Sequence, residues 1–168
     1  MESASGCLYV VATPIGNLED VTQRALRMLA DATFVAAEDT RRVRKLLSHH
    51  GIHTPTVAYH EANKHKATPE IVDRLVRGAR VALVSDAGTP GIADPGSALV
   101  RAAAEAGVRV VPIPGPSALT AALSVCGFDT RHVRMLGFLP KRLSERRRVL
   151  AGLADETATT VVFEAPGR

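Results

Sequence analysis

The chain has 168 residues, enough for one ordinary domain or two very small ones, and its 46% hydrophobic and 23% charged residues are the balance of a folded chain rather than a disordered one. Six aromatics (Phe 4, Tyr 2, Trp 0) argue against RNA modules built on aromatic platforms, and Cys7 and Cys126 are too few for a disulfide framework or a cysteine-built zinc site, which makes a reducing cytoplasm the default. The net charge of +4 is unevenly placed: residues 131–148 hold seven basic residues against Glu145, a segment that suits either a polyanionic partner or a solvated helix face.

In chain order, Met1–Gly6 carries Glu2 and no basic n-region, so it does not read as a secretory signal. Leu8–Ala12 is β-branched-rich and ends at Thr13-Pro14-Ile15-Gly16, as a strand does. Asp20 is expected as a helix N-cap with Gln23 as its capping-box partner, and Val21, Ala25, Met28 and Leu29 mark one buried helix face. A strand over 33–37 and a basic helix over 40–50, stopped by Gly51, follow. Next come a strand over 56–60 and a helix over 69–77, capped by Thr68, opened by Pro69 and stopped by Gly78.

The nearly continuous apolar run Val81–Ser85 is expected where both sheet faces are covered. Asp94 and Pro95 open an Ala-rich helix ending at Gly107, and 108–113 is a fifth strand. The uncharged run 110–128 approaches membrane-spanning length, but Pro112, Pro114, Gly115 and Pro116 break it into a buried strand, a turn and a buried helix over 116–126. A strand over 133–138, a basic helix over 144–154 and a strand over 159–164 complete the pattern. Polar and basic residues replace the Ala/Val-rich pattern near 127–131.

Strict strand–helix alternation implies an α/β fold with right-handed crossovers and a mostly parallel sheet, whose ligand sits beyond the carboxyl ends of the strands. Those ends carry Pro14-Ile15-Gly16, Glu38-Asp39, His60-Glu61, Asp86 to Pro90 and Pro114 to Ala118. No GxxxxGK[ST] occurs, and the first turn has one glycine where a dinucleotide fingerprint wants three. His49, His50 and His53 lack a nearby carboxylate at ligand spacing, so no metal is expected. The loop Ser85–Gly96 and the turn Pro112–Ala118 are two rigid Gly/Pro segments that describe a preformed small-molecule cleft or purely structural turns.

Leu8 through Asp20, Ala37-Glu38-Asp39-Thr40-Arg41, Val84 through Gly96, Pro112 through Ala118, and Gly137-Phe138-Leu139-Pro140 match one ordered pattern. On these residues the chain resembles the ribosomal RNA small subunit methyltransferase I family, within the tetrapyrrole methylase fold, from about Leu8 to Arg168. The resemblance implies two α/β lobes, 1–115 and 116–168, with a mostly parallel sheet in the first and the second truncated. It implies S-adenosyl-L-methionine as cofactor, bound by Pro14, Gly88, Thr89, Ile92, Ser117 and Ala118. Thr89 stands where the wider fold often has aspartate, which favours RNA over a porphyrinoid.

The implied reaction is methylation of the ribose 2′-oxygen of a cytidine in 16S rRNA, alone or within the small ribosomal subunit. The alternatives are a porphyrinoid or other small-molecule acceptor, or an RNA-binding fragment without catalysis. Removing the hydroxyl proton calls for a base; among Glu38, Asp39, His60, Glu61 and Asp86, the preferred candidates are Asp39 and Asp86, with helix capping as the competing role for Glu38 and Asp39. Arg41, Arg42, Lys64 and Arg142 are the expected RNA contacts. A cytoplasmic homodimer is expected at full length, with no membrane partner, and residues 1–168 alone are expected to bind the cofactor weakly.

Overall fold

The computed structural model describes residues 6–164, so the stretches 1–5 and 165–168, which carry the signal-peptide reading and the end of the matched pattern, lie outside the described residues. The chain divides into two compact units, Met1–Ala118 and Leu119–Arg168. In the first, β1 (Cys7–Val11), β2 (Phe34–Ala37), β3 (Thr56–Ala58), β4 (Arg80–Val84) and β5 (Arg109–Ile113) form one sheet in the order β3-β2-β4-β1-β5. Every pairing is parallel.

The helices are α1 (Gln23–Asp31), α2 (Thr40–His49), α3 (Lys64–Val76) and α4 (Gly96–Glu105). The steps β1 to β2 and β2 to β3 run toward one edge of the sheet, and β3 to β4 and β4 to β5 run back toward the other. Right-handed crossovers then place α1 and α2 on one face and α3 and α4 on the other. The core obeys that rule. Ala25 and Leu29 of α1 and Val43, Leu46 and Leu47 of α2 pack with Val11, Val35, Ala82 and Ile113. Ala67, Ile71 and Leu75 of α3 and Leu99 and Ala103 of α4 pack with Leu8, Phe34, Val81 and Leu83 on the other side. Alternate residues of β4 therefore serve both cores, which explains its unbroken apolar run.

Several local expectations are corrected. Thr22, not Asp20, caps α1, its hydroxyl accepting from the Ala25 amide at 3.0 Å; Leu18–Asp20 instead form a single 3-10 turn capped by Asn17. α3 begins at Lys64, so Pro69 lies inside it and Thr68 is no cap. The Thr68 hydroxyl instead meets the Tyr59 hydroxyl at 3.0 Å. β3 stops at Ala58 because Asn63 Nδ2 donates to the Ala58 carbonyl and the His60 amide donates to Asn63 Oδ1, which turns the chain toward α3.

The second unit contains most of α5 (Ala118–Val125), then β6 (Val133–Phe138), α6 (Leu143–Ala151) and β7 (Thr159–Phe163). β6 and β7 pair in parallel, with a register irregularity between Met135 and Gly137. The expected burial of α5 is not found: none of its residues is buried. Among the described residues no helix is long and apolar enough to cross a membrane.

Candidate functional site

At the carboxyl ends of β4 and β1 the chain leaves in opposite directions, to α4 on one face and α1 on the other. Neighbouring strands that diverge in this way open a crevice. Its floor is the exchange of backbone hydrogen bonds between Thr13 and Gly88, 2.9 Å in each direction. Thr13 is a buried polar residue whose hydroxyl lies 3.4 Å from the Ser85 carbonyl, so its side chain is satisfied beneath the loops.

At Gly88 the backbone, rather than crowding, disfavours a side chain. Its φ is +78°, in the left-handed region, and a Cβ would sit 3.4 Å from Ile15 Cγ2, 3.7 Å from the Pro116 carbonyl oxygen and 3.9 Å from Ser117 Cα. Loops from β1, β4 and β5 thus converge on one backbone position. Thr89 fastens two of them: its hydroxyl donates to the Pro116 carbonyl at 3.1 Å. The Asp94 carboxylate holds the far side of the β4 loop, accepting from the Gly91 amide at 2.8 Å and the Gly96 amide at 2.7 Å. Between these anchors Ala93 is forced to a φ of 61°, a strained position for a residue with a side chain.

On the α1/α2 side, Thr13, Pro14, Leu18, Arg42, Val43, Leu46, Ser85 and Asp86 line a cavity of about 80 Å³. That is far below the ~300–1,000 Å³ of pockets that enclose a small ligand. Asp86 Oδ1 accepts from the Asp39 amide at 3.0 Å, and Oδ2 lies 3.5 Å from the Arg42 guanidinium. Asp39 caps α2 by accepting from the Arg41 amide at 2.8 Å and also pairs with the Arg41 guanidinium at 2.8 Å. Hydrogen bonds from Arg41 hold the Asp39 carboxyl down at about 2, and Asp39 in turn raises Arg41.

Glu38 moves the other way. Burial, then the charges of Asp86 and Asp94, push its carboxyl above the usual range, against opposing pulls from Arg42 and His60. Strand alternation carries it to the α3/α4 side, where it lies against Tyr59, Leu83, Ser85, Asp94 and Gly96 in a crevice too tight to admit a water molecule.

The structure thus brings together Gly88, Thr89 and Ser117, and places Pro14 in one cavity with Arg42 and Asp86, which Asp39 and Arg41 adjoin. Ile92 lies exposed on the β4 loop, and Ala118 opens α5. Lys64, at the start of α3, is tied to Glu61 at 2.7 Å, and Arg142, in the second unit, lies 3.6 Å from Glu145. The sequence pattern names Glu38 but prefers its neighbour; the signal that separates them is the face each takes at the end of β2. Among the described residues, no group of three or more His, Cys, Asp or Glu side chains is arranged to hold a metal ion.

A profile of the family described as Tetrapyrrole (Corrin/Porphyrin) Methylases matches residues 7–168. The ribosomal RNA small subunit methyltransferase I of Xylella fastidiosa is 51% identical over 166 residues, 99% of this chain and 61% of that protein. The protein of the same name from Synechocystis sp. is 50% identical over 163 residues, 97% of this chain and 58% of its own. The chain therefore spans about three fifths of the length of these curated relatives. Among solved structures, diphthine synthase superposes with a TM-score of 0.73 at 18% identity, covering 96% of this chain and 65% of that one, a likeness of fold.

Proposed function

The chain belongs to the tetrapyrrole (corrin/porphyrin) methylase family, and on that premise we propose that it serves methylation of small-subunit ribosomal RNA, at the ribose 2′-oxygen of a cytidine in 16S rRNA. The observation that carries this reading is the half-identity, over nearly all of the chain, to curated proteins bearing the small-subunit methyltransferase name. When bound, S-adenosyl-L-methionine supplies an activated methyl group. The rest is placement, since holding donor and acceptor in line contributes ~7–11 kcal/mol to such a step.

The residues fit that cofactor. Gly88 leaves the backbone bare where three loops meet, and the Thr89 bond to Pro116 keeps two of them in register. Pro14 and Ile92 offer apolar contact, while Ser117 and Ala118 supply backbone amides at the opening of α5. Asp39 and Asp86 position their partners: they hold Arg41 and Arg42 at the sheet's carboxyl end, where both guanidiniums remain well exposed to RNA phosphates. Lys64 in the first unit, and Arg142 with the other basic residues of 131–148 in the second, are the further proposed phosphate contacts. The working form proposed is a cytoplasmic homodimer.

The test is tritiated methyl transfer from S-adenosylmethionine to small ribosomal subunits. Label recovered in an alkali-resistant dinucleotide is the expected result, because a 2′-O-methyl group blocks cleavage there. Unlabelled subunits and free rRNA, together with methylation of a porphyrinoid, overturn the proposal.

A further inference from the structure

We propose that Glu38 is the general base that takes the proton of the ribose 2′-hydroxyl, an assignment that rests on the RNA-methylating reading above. The carboxylates around it are engaged elsewhere. Asp39 is bound to the Arg41 amide and guanidinium, Asp86 to the Asp39 amide and Arg42, Glu61 to Lys64, and Asp94 to the Gly91 and Gly96 amides. Glu38 makes no hydrogen bond or ion pair among the described residues.

It also stands in the right place. Glu38 follows the last residue of β2 and is only partly buried, beside Tyr59, Ser85 and Asp94, at the end of the sheet where ligands of parallel α/β folds bind. The charged groups facing it are Arg42 from α2, His60 after β3, Asp86 after β4 and Asp94 before α4. Burial and the two aspartates make its carboxylate more basic than an ordinary glutamate, whereas Asp39, held at about 2, is a feeble base.

In the step, the hydroxyl O–H bond breaks and its proton goes to a Glu38 oxygen. The freed oxygen pair forms the bond to the methyl carbon, and the carbon–sulfur bond breaks with its electrons returning to sulfur. The sulfonium charge is lost and one proton is gained by the carboxylate, so the balance closes without an oxidant or metal.

The experiment is single-turnover methyl transfer to small ribosomal subunits across pH, using the wild-type chain, Glu38→Gln, Glu38→Asp and His60→Gln. Cofactor binding is followed by calorimetry, and the Glu38 carboxyl is titrated in the free protein by carbon-13 resonance. The wild-type rate should climb with pH through a midpoint above the ordinary glutamate range and then level. Glu38→Gln should lose about 100-fold or more and the whole acid limb, with cofactor affinity unchanged. Glu38→Asp should keep the limb at a reduced rate. A wild-type rate and profile in Glu38→Gln, a limb that disappears only in His60→Gln, or a Glu38 carboxyl titrating at or below the ordinary range each overturn the assignment. A wild-type chain that binds cofactor and labels no RNA defeats the underlying reading instead.

Discussion

The two units are built from the same local pieces, parallel strands joined through helices, yet they bury their apolar residues very differently. In the first, two pairs of helices cover both faces of a five-stranded sheet, and Leu8, Leu29, Leu75 and Leu99 are fully buried. In the second, none of the described residues 119–164 is buried, and Val125, Phe128, Phe138, Leu143 and Leu150 are exposed. A helix or strand hides only one apolar stripe; without a second layer the stripe stays wet. Element formation is thus a local matter, whereas a core requires layers on both sides. The second unit relies on surface pairs, Arg131 with Asp129 and Arg134 with Glu156, and on the Phe138–Phe163 edge contact, with ring centroids 5.7 Å apart.

The sharpest way to break this contrast is to remove one leucine from each unit. Leu99→Ala empties a fully buried site between α4 and the sheet and should cost about 2–5 kcal/mol in urea unfolding. Leu150→Ala, on exposed α6, should change stability by no more than about 0.5 kcal/mol. Equal losses at the two positions would erase the distinction.

Helix caps offer a smaller version. Thr22→Ala removes the bond to the Ala25 amide and should cost about 1 kcal/mol. Arg142 occupies the N-cap position of α6 without a side-chain cap bond, so Arg142→Ala should leave the midpoint of thermal unfolding unchanged.

The smallest effect is a difference in the response to pH, set by one carboxyl of opposite sign. Asp129 and Glu156 are lowered by hydrogen bonds, from Arg131 and from the Ala158 amide with Arg134. Their stabilisation of the second unit is complete above the ordinary carboxylate range and is lost as pH falls through their folded values. In the first unit Asp39, lowered by Arg41, acts in the same direction, but Glu38 is raised and opposes it: Glu38 retains its proton longer than in the unfolded chain, and that contribution declines as pH rises from the ordinary glutamate value through the folded one. Hydrogen exchange resolved by residue between pH 7 and 4 should therefore show β6 and β7 losing protection relative to β4. Glu38→Gln should remove the opposing contribution, steepen the first unit's loss of protection toward acid pH and slightly stabilise it at pH 7, a gain in the same variant that loses methyl transfer. A shared pH response in both units would contradict this division.

Much of the first unit is legible in the chain. The i, i+4 spacing of Ala25 and Leu29 and of Leu99 and Ala103, the glycine stops at 51, 78 and 107, and the apolar run of β4 all translate directly into elements. The misses come from competition between neighbours. Asp20 and Thr22 are both credible caps, and only the 3-10 turn before α1 decides between them. Pro69 looks like a helix start, yet α3 runs through it because Ala67, Ile71 and Leu75 bury a continuous stripe. The apolar composition of α5 suggested burial, but composition cannot say whether a covering layer exists.

The opening charge balance likewise marks a basic segment without saying what its charges do; the structure shows Arg131, Arg134 and Arg142 beside acids. What the sequence by itself determined is the order of strands and helices, the parallel class, and the rigid turns at 13–16, 85–96 and 112–118, because these depend on periodicity and on the conformational limits of glycine and proline. What only the tertiary structure decided is which carboxylate is engaged and which is left without a donor. Glu38 and Asp39 are adjacent in the chain, but the pleat sends one to each face of the sheet. There Asp39 meets Arg41 at the start of α2, while Glu38 meets Asp86 and Asp94 across the strand ends, and it is this set of neighbours that lowers one carboxyl and raises the other.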